Sequence, residues 1–312
     1  MKRDYAKVLP DAAMQDDCRQ LVRLAVREDL ERSVDWTTVA LIGIDKRGAC
    51  DVVPRQTGIC AGLETVPWIL DEMDADLKAE MLARDGDDLH PGEAILRLSG
   101  SARDLLTCER LILNVLCKLC GIATLTRQYV QEIEGCGAAL YDTRKTTPGW
   151  RRLEKYSVGC GGGRNHRTGL FDGFLIKDNH LALAGDAQAG EPLSTRTAAE
   201  MARQWAGGRA EMSDAPQIVE IEVDSLQQLA DVLPAAPDIV LLDNFSLEQL
   251  REAVQMRDQH APDVELEASG GVTLQSIREI ALTGVERISS GALTHQAVWL
   301  DLGLYWHGTA AS

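Results

Sequence analysis

The chain has 312 residues, is 45% hydrophobic and carries a formal net charge of −16, so it can bury more than one core and makes a poor partner for nucleic acid or an anionic membrane surface. Its longest apolar stretches, such as Leu111 to Cys117, fall well short of a membrane span, and the charged start Met1-Lys2-Arg3-Asp4 predicts no signal peptide and hence a cytoplasmic protein. The eight cysteines predict buried free thiols, since Cys117 and Cys120 form a lone C-x-x-C with no second pair or nearby histidine to complete a zinc set.

From the N-terminus, Leu21, Leu24, Ala25 and Glu28-Asp29-Leu30 predict a surface helix. Val52, Ile59 and Ile95-Leu96-Arg97-Leu98 predict short strands, with turns at Gly58, Gly62, Asp85-Gly86 and Pro91-Gly92. A long helix is predicted from about Ala102 to about Lys118, with Leu105, Leu111, Ile112, Val115 and Leu119 on its apolar surface. Beyond residue 127 the rhythm changes. Short apolar runs end in polar or glycine residues at 138–145, 174–179, 218–224, 238–244, 264–271 and 287–291. Helices opened by Ser or Thr are predicted over 225–232, 246–256 and 273–282, and 185–214 is predicted to be a longer exposed loop. Strand–helix alternation of this kind predicts a parallel β/α barrel whose site lies at the C-terminal strand ends. Six strands rather than eight predict that the barrel is open.

Charge is unevenly placed. Residues 142–180 hold eight Lys/Arg against four acids, which makes the segment +4 and the remainder −20. Such an island is either a solvated face or a pocket for a small anion, and its clustering around glycines and strand ends favours the pocket. Arg144 and Lys145, read as adjacent at a strand end, point to opposite sides; Arg offers a planar fork for carboxylate or phosphate and Lys a mobile point charge. Gly161-Gly162-Gly163 lets backbone N–H groups approach an anion, with His166 and Arg167 as further donors. Lys177, ending its strand, is either a Schiff-base nucleophile or an anion clamp. In Ile218 to Asp224 three acids alternate with apolar residues, as on a solvent-facing edge strand or in a site. Asp243 ends a buried strand, and two acids opposite cations suit a divalent metal or ribose hydroxyls. Ser269-Gly270-Gly271 and Ser290-Gly291-Ala292 follow the last two strands, where backbone amides often hold phosphate. Arg110, within an apolar helix, either reaches solvent or meets an anion, in a neighbouring subunit for example.

The motifs Glu109-Arg110, Asp142 to Gly149, Gly161-Gly162-Gly163, Asn165-His166-Arg167, Ile176 to His180, Glu220 to Asp224, Leu242 to Phe245 and Gly291 to His295 recur in order across nearly the whole chain. The sequence thereby resembles the quinolinate phosphoribosyltransferase (decarboxylating), or nicotinate-nucleotide pyrophosphorylase, family. The resemblance implies an α/β fold: an N-terminal α/β sandwich domain (1–127, joined by 295–312) and an incomplete β/α barrel (128–294). It implies a homodimer or larger assembly in which Arg110 reaches the neighbouring subunit's site. Arg110, Arg144, His166 and Arg167 would hold the quinolinate carboxylates, Lys145 and Lys177 the pyrophosphate and a substrate carboxylate, with Thr146 beside them. Glu222 and Asp243 would meet the ribose hydroxyls and Mg2+, and residues 269–271 and 290–292 the 5′-phosphate. Three rival readings are a related pyrophosphorylase of molybdenum-transport operons, a barrel aldolase or decarboxylase using Lys177, and a small-anion sensor.

Overall fold

The structure, a computed structural model, describes residues 4–185, 191–208 and 217–307. Helices α1 (Ala12–Leu30) and α2 (Trp36–Leu41) lead to β1 (Arg47–Pro54), β2 (Gly58–Ile59), α3 (Val66–Glu72), β3 (Leu77–Met81), β4 (Asp88–Leu89), β5 (Leu96–Ser101) and α4 (Ala102–Glu132). Then follow β6 (Ala139–Tyr141), α5 (Arg151–Cys160), β7 (Phe174–Ile176), α6 (Asp178–Ala184), α7 (Thr195–Gly207), β8 (Val219–Val223) and α8 (Leu226–Val232). The rest is β9 (Ile239–Asp243), α9 (Leu247–His260), β10 (Glu265–Ser269), α10 (Ile277–Ala281), β11 (Arg287–Ser289), α11 (Ala292–His295) and β12 (Leu302–Trp306). Of the described residues, 8–127, 145–162 and 293–307 form one compact unit, called here the N-terminal unit; 4–7, 128–144, 163–185, 191–208 and 217–292 form a second, the barrel unit.

In the N-terminal unit an antiparallel sheet runs in the order β12-β1-β5-β3, with Cys50 opposite both Leu98 and Trp306. The core is aliphatic: Met14, Ile69, Leu96, Leu98, Leu105, Ile112, Leu116 and Leu119 have no exposed surface. Helix α1 starts where the Asp11 side chain accepts the Met14 N–H at 2.9 Å, and α2 where Asp35 accepts the Thr38 N–H at 3.0 Å. Helix α4 does not end near Lys118 but continues to Glu132. Gly121 lies inside the helix as a point of close approach, because a Cβ there would lie 2.2 Å from the Val298 carbonyl oxygen. Gly161 serves the same end: its Cβ would meet the Ala123 carbonyl at 2.4 Å, so this member of the triple glycine lets α5 approach α4 closely.

The barrel unit contains a parallel six-stranded sheet in the order β6-β11-β10-β9-β8-β7. Strands β6 and β7 stand at its two edges, so the barrel is open, as the count of six strands predicts. Ile221, Val240, Leu242, Leu266 and Ile288 are fully buried and form the apolar face of the strands. Ser225 caps α8, and Ser246 with Gln249 forms a reciprocal capping box on α9. The third predicted cap differs. Thr273 and Ser276 bond each other in a turn, and α10 begins only at Ile277. The expected loop at 185–214 is also corrected: α7 occupies Thr195–Gly207, with Thr195, Ala198, Ala199 and Ala206 buried at helical spacing. Residues 186–190 and 209–214 lie outside the described residues. Small alanines carry a weak apolar signal, which is why the helix reads as loop. Among the described residues no helix is long and apolar enough to cross a membrane.

Candidate active site

Strand β8 lies between β7 and β9, so its alternating acids are not those of an edge strand. Side chains on a strand alternate, which puts Glu220 and Glu222 on one face and Ile221 and Val223 on the other. Register aligns Glu222 with Leu241 and Ser269 with Asp243, and Glu267 with Arg287. The polar ends of β8 to β11 are therefore neighbours. Strand β6 ends at Tyr141, so Arg144 and Lys145 lie in the loop beyond it and strand alternation does not set their directions.

Arg144 and Arg167 both belong to the barrel unit, and the Nε of each is buried without a hydrogen-bond partner. Arg167 is otherwise held from within. Its N–H donates to His166 Nδ1 at 2.8 Å and its Nη1 to the Gly173 carbonyl at 3.3 Å. Burial first, and then the nearby Arg144 charge, push the Arg167 guanidinium below its ordinary pKa. Two crowded cations with unpaired buried donors form an unfavourable arrangement that a bound anion relieves.

Beneath them His166 is buried, with Nε2 3.0 Å from Glu220 Oε2 and 3.5 Å from Glu267 Oε1. Burial opposes a charged ring there, but Glu220 and Glu267 outweigh it, and the pKa of His166 lies above the usual imidazole value. Nδ1 accepts the Arg167 N–H while Nε2 faces Glu220, so both ring nitrogens are engaged by protein groups and His166 acts on an anion by positioning Arg167. Tyr5 donates from its hydroxyl to Glu220 at 2.8 Å, and its ring lies 4.6 Å from that of His166. Glu267 in turn accepts from Arg287 Nε at 2.8 Å; Arg287 sits 3.7 Å over the Tyr141 ring and donates to Asp4 at 3.0 Å. His166, Glu220 and Glu267 place candidate metal-ligand atoms within 4.8 Å of one another, but the ion pairs to His166 and Arg287 already account for these charges.

At the strand ends Lys177 Nζ contacts the Glu222 carboxylate, so the lysine is engaged by an acid and not presented as a bare nucleophile. Asp243 accepts from Asn244 Nδ2 at 2.8 Å. Gly270 has φ 94°, and a Cβ on it would fall 2.2 Å from Asn244 Oδ1, so the turn Ser269-Gly270-Gly271 closes over the end of β9 only because it is glycine. In the turn Ser290-Gly291-Ala292 the Ser290 N–H donates to the Tyr141 carbonyl at 3.0 Å. Glu222 and Asp243 offer hard carboxylate oxygens from adjacent strands, a donor set that suits Mg2+ shared with substrate oxygens.

Arg110, Lys145 and Thr146 belong to the N-terminal unit. Arg110 is exposed, which answers the question of its burial; Lys145 is exposed, with its carbonyl accepting from Thr294 Oγ1 at 2.7 Å; and Thr146 Oγ1 accepts from Arg151 Nε at 3.1 Å. Sequence reasoning passed over Tyr5, Glu267 and Arg287. Tyr5 carries no local signal, and the other two resemble ordinary strand charges.

Two family models match the chain: "Quinolinate phosphoribosyl transferase, N-terminal domain" over residues 35–120 and "Quinolinate phosphoribosyl transferase, C-terminal domain" over residues 122–305. The nicotinate-nucleotide pyrophosphorylase (carboxylating) of Mycobacterium leprae is 42% identical over 292 residues, covering 93% of this chain and 97% of that protein. A probable nicotinate-nucleotide pyrophosphorylase (carboxylating) of Bacillus subtilis is 37% identical, covering 86% of this chain and 87% of that protein. The solved nicotinate-nucleotide pyrophosphorylase of Francisella tularensis is similar at a TM-score of 0.81 and 34% identity, over 97% of this chain and 99% of that one.

Proposed function

The chain belongs to the quinolinate phosphoribosyltransferase family, and from that premise we propose how its residues carry out the family's reaction. The enzyme transfers the phosphoribosyl group of 5-phosphoribosyl-1-pyrophosphate to quinolinate with decarboxylation, giving nicotinate mononucleotide, pyrophosphate and CO2 in NAD biosynthesis. The observation that carries the site assignment is the pair of buried, unpaired guanidinium nitrogens on Arg144 and Arg167. They suit a ligand with two carboxylates on adjacent ring carbons, each able to accept from a planar fork.

In this reading Arg144 and Arg167, with His166 bracing the Arg167 backbone, orient quinolinate so that its ring nitrogen faces C1 of the ribose. The nitrogen attacks C1 as pyrophosphate leaves; positive charge grows on the ribose ring and negative charge on the leaving oxygen. Glu222 and Asp243 stabilise the first and bind the ribose hydroxyls, while Lys145 and Lys177 stabilise the second and a substrate carboxylate. Lys177 must exchange part of its contact with Glu222 for substrate. Backbone amides at 269–271 and 290–292, with Thr146, take the phosphates. Glu222 and Asp243 would hold Mg2+, which supplies charge neutralisation at the diphosphate. Ribosylation leaves a pyridinium whose positive nitrogen stabilises the carbanion left at the adjacent ring carbon as its carboxylate departs as CO2, and a proton from solvent then completes the C–H bond.

We further infer a homodimer or larger assembly in which Arg110 completes a neighbouring subunit's site. Support comes from the exposure of Arg110 and from large apolar side chains left open on each unit, Trp36, Leu41 and Ile44 on one and Leu170, Phe171 and Leu183 on the other. A cytoplasmic setting fits eight cysteines that are all free. The reaction is tested by incubating purified protein with quinolinate, phosphoribosyl pyrophosphate and Mg2+ and measuring nicotinate mononucleotide and CO2. Absence of both products refutes it, and full activity in excess chelator removes Mg2+. Sedimentation that finds only monomers at full activity removes the shared site.

A further inference from the structure

We propose that Tyr5 is a positioning residue for the dicarboxylate site: seated among Gly173, His166 and Glu220, it holds the groups that aim Arg167. The inference rests on the assignment of Arg167 to the quinolinate carboxylates. Arg167 has two internal anchors, the His166 ring at 2.8 Å and the Gly173 carbonyl at 3.3 Å. Tyr5 touches the residues behind both. Its ring lies 4.6 Å from the His166 ring, and it packs so closely on Gly173 that a Cβ there would come within 2.8 Å of Tyr5 Cε1. Its hydroxyl donates to Glu220 Oε2 at 2.8 Å, the same oxygen that lies 3.0 Å from His166 Nε2. One residue therefore fixes the imidazole in plane and tilt and sets the height of the Gly173 carbonyl. Burial and Glu220 push the phenol pKa upward, so the hydroxyl remains a donor.

The residue is itself tethered. Asp4 accepts from Tyr141 at 2.9 Å and from Arg287 at 3.0 Å, which ties the first described residues of the chain into the barrel unit. An Arg fork must meet a carboxylate in a fixed plane, so loosening either anchor weakens dicarboxylate binding while leaving diphosphate recognition, which uses other residues, intact.

Steady-state kinetics with Mg2+ and both substrates test this. Tyr5→Phe keeps the ring and removes the bond to a charged acceptor; the expected outcome is a quinolinate KM raised about tenfold, with the phosphoribosyl pyrophosphate KM changed less than about twofold. Gly173→Ala crowds the ring from the opposite side and should give the same selective rise. A normal quinolinate KM in both variants overturns the proposal, as does a parallel rise of both KM values with a lowered melting temperature, which marks packing alone. Arg167→Ala separates the two levels: if it too leaves the quinolinate KM normal, the site assignment fails and not merely the role of Tyr5.

Discussion

In the N-terminal unit, sheet and helices close over Met14, Ile69, Leu98 and Leu116, whereas the strands of the barrel unit close over Glu220, Glu267 and Arg287. Both sets are fully or almost fully buried, yet one is held by shape and the other by pairing. An aliphatic core tolerates exchange among side chains of similar volume. A buried ionic network does not, because each member removed strands another in a low-dielectric setting. The first arrangement supplies stability cheaply. The second fixes where the charges stand, which is what a site for polyanions requires.

The contrast is broken most severely by Arg287→Ala, which takes the guanidinium away from Glu267 and Asp4 and leaves Glu267 only the His166 ring at 3.5 Å; a loss of about 3–5 kcal/mol in urea unfolding is expected. Glu267→Leu combined with Arg287→Met, which removes both charges, should recover much of that loss, and a single variant costing under about 1 kcal/mol would show the network to be idle. In the aliphatic core Leu116→Ala should cost about 3 kcal/mol and Leu116→Met under about 1.5 kcal/mol. If the isosteric Glu267→Gln is as cheap as Leu116→Met, the two interiors do not differ in the way described. Arg144→Ala should lower kcat/KM for quinolinate by about 2–4 kcal/mol of transition-state stabilisation without lowering the melting temperature, since it relieves crowding at Arg167. Near-normal kcat/KM would remove Arg144 from the site.

The smallest effect is one of pH. The hydrogen bond from Arg97, assisted by His307, holds the Asp51 carboxyl below the usual carboxylate range. Its stabilisation is therefore present above the unfolded pKa of about 3.9 and is lost as pH falls through the folded value. Melting curves of Asp51→Asn and the parent should differ near neutrality and converge in acid; a gap that stays constant across that range contradicts the assignment.

The fold was legible in the sequence where periodicity was strong. The six apolar runs after residue 127 became the six parallel strands, and Ser225 and Ser246 capped their helices as expected. It was illegible where glycine or alanine carried the information. The role of Gly121 shows only with the backbone at Val298 beside it, and α7 hides its buried face in alanines. Arg144, Lys177 and Asp243 could be singled out because each follows an apolar run, and Arg167 because it stands beside the triple glycine. Tyr5 could not, since its partner Glu220 is 215 residues away and nothing local marks it.

That separation has a consequence for folding. Asp4 and Arg287 meet across 283 residues, and β1 takes β12 as a neighbour, so each unit closes only after segments far apart along the chain have met. Long-range closure of this kind slows folding, because loop entropy is lost before the distant contacts reward it.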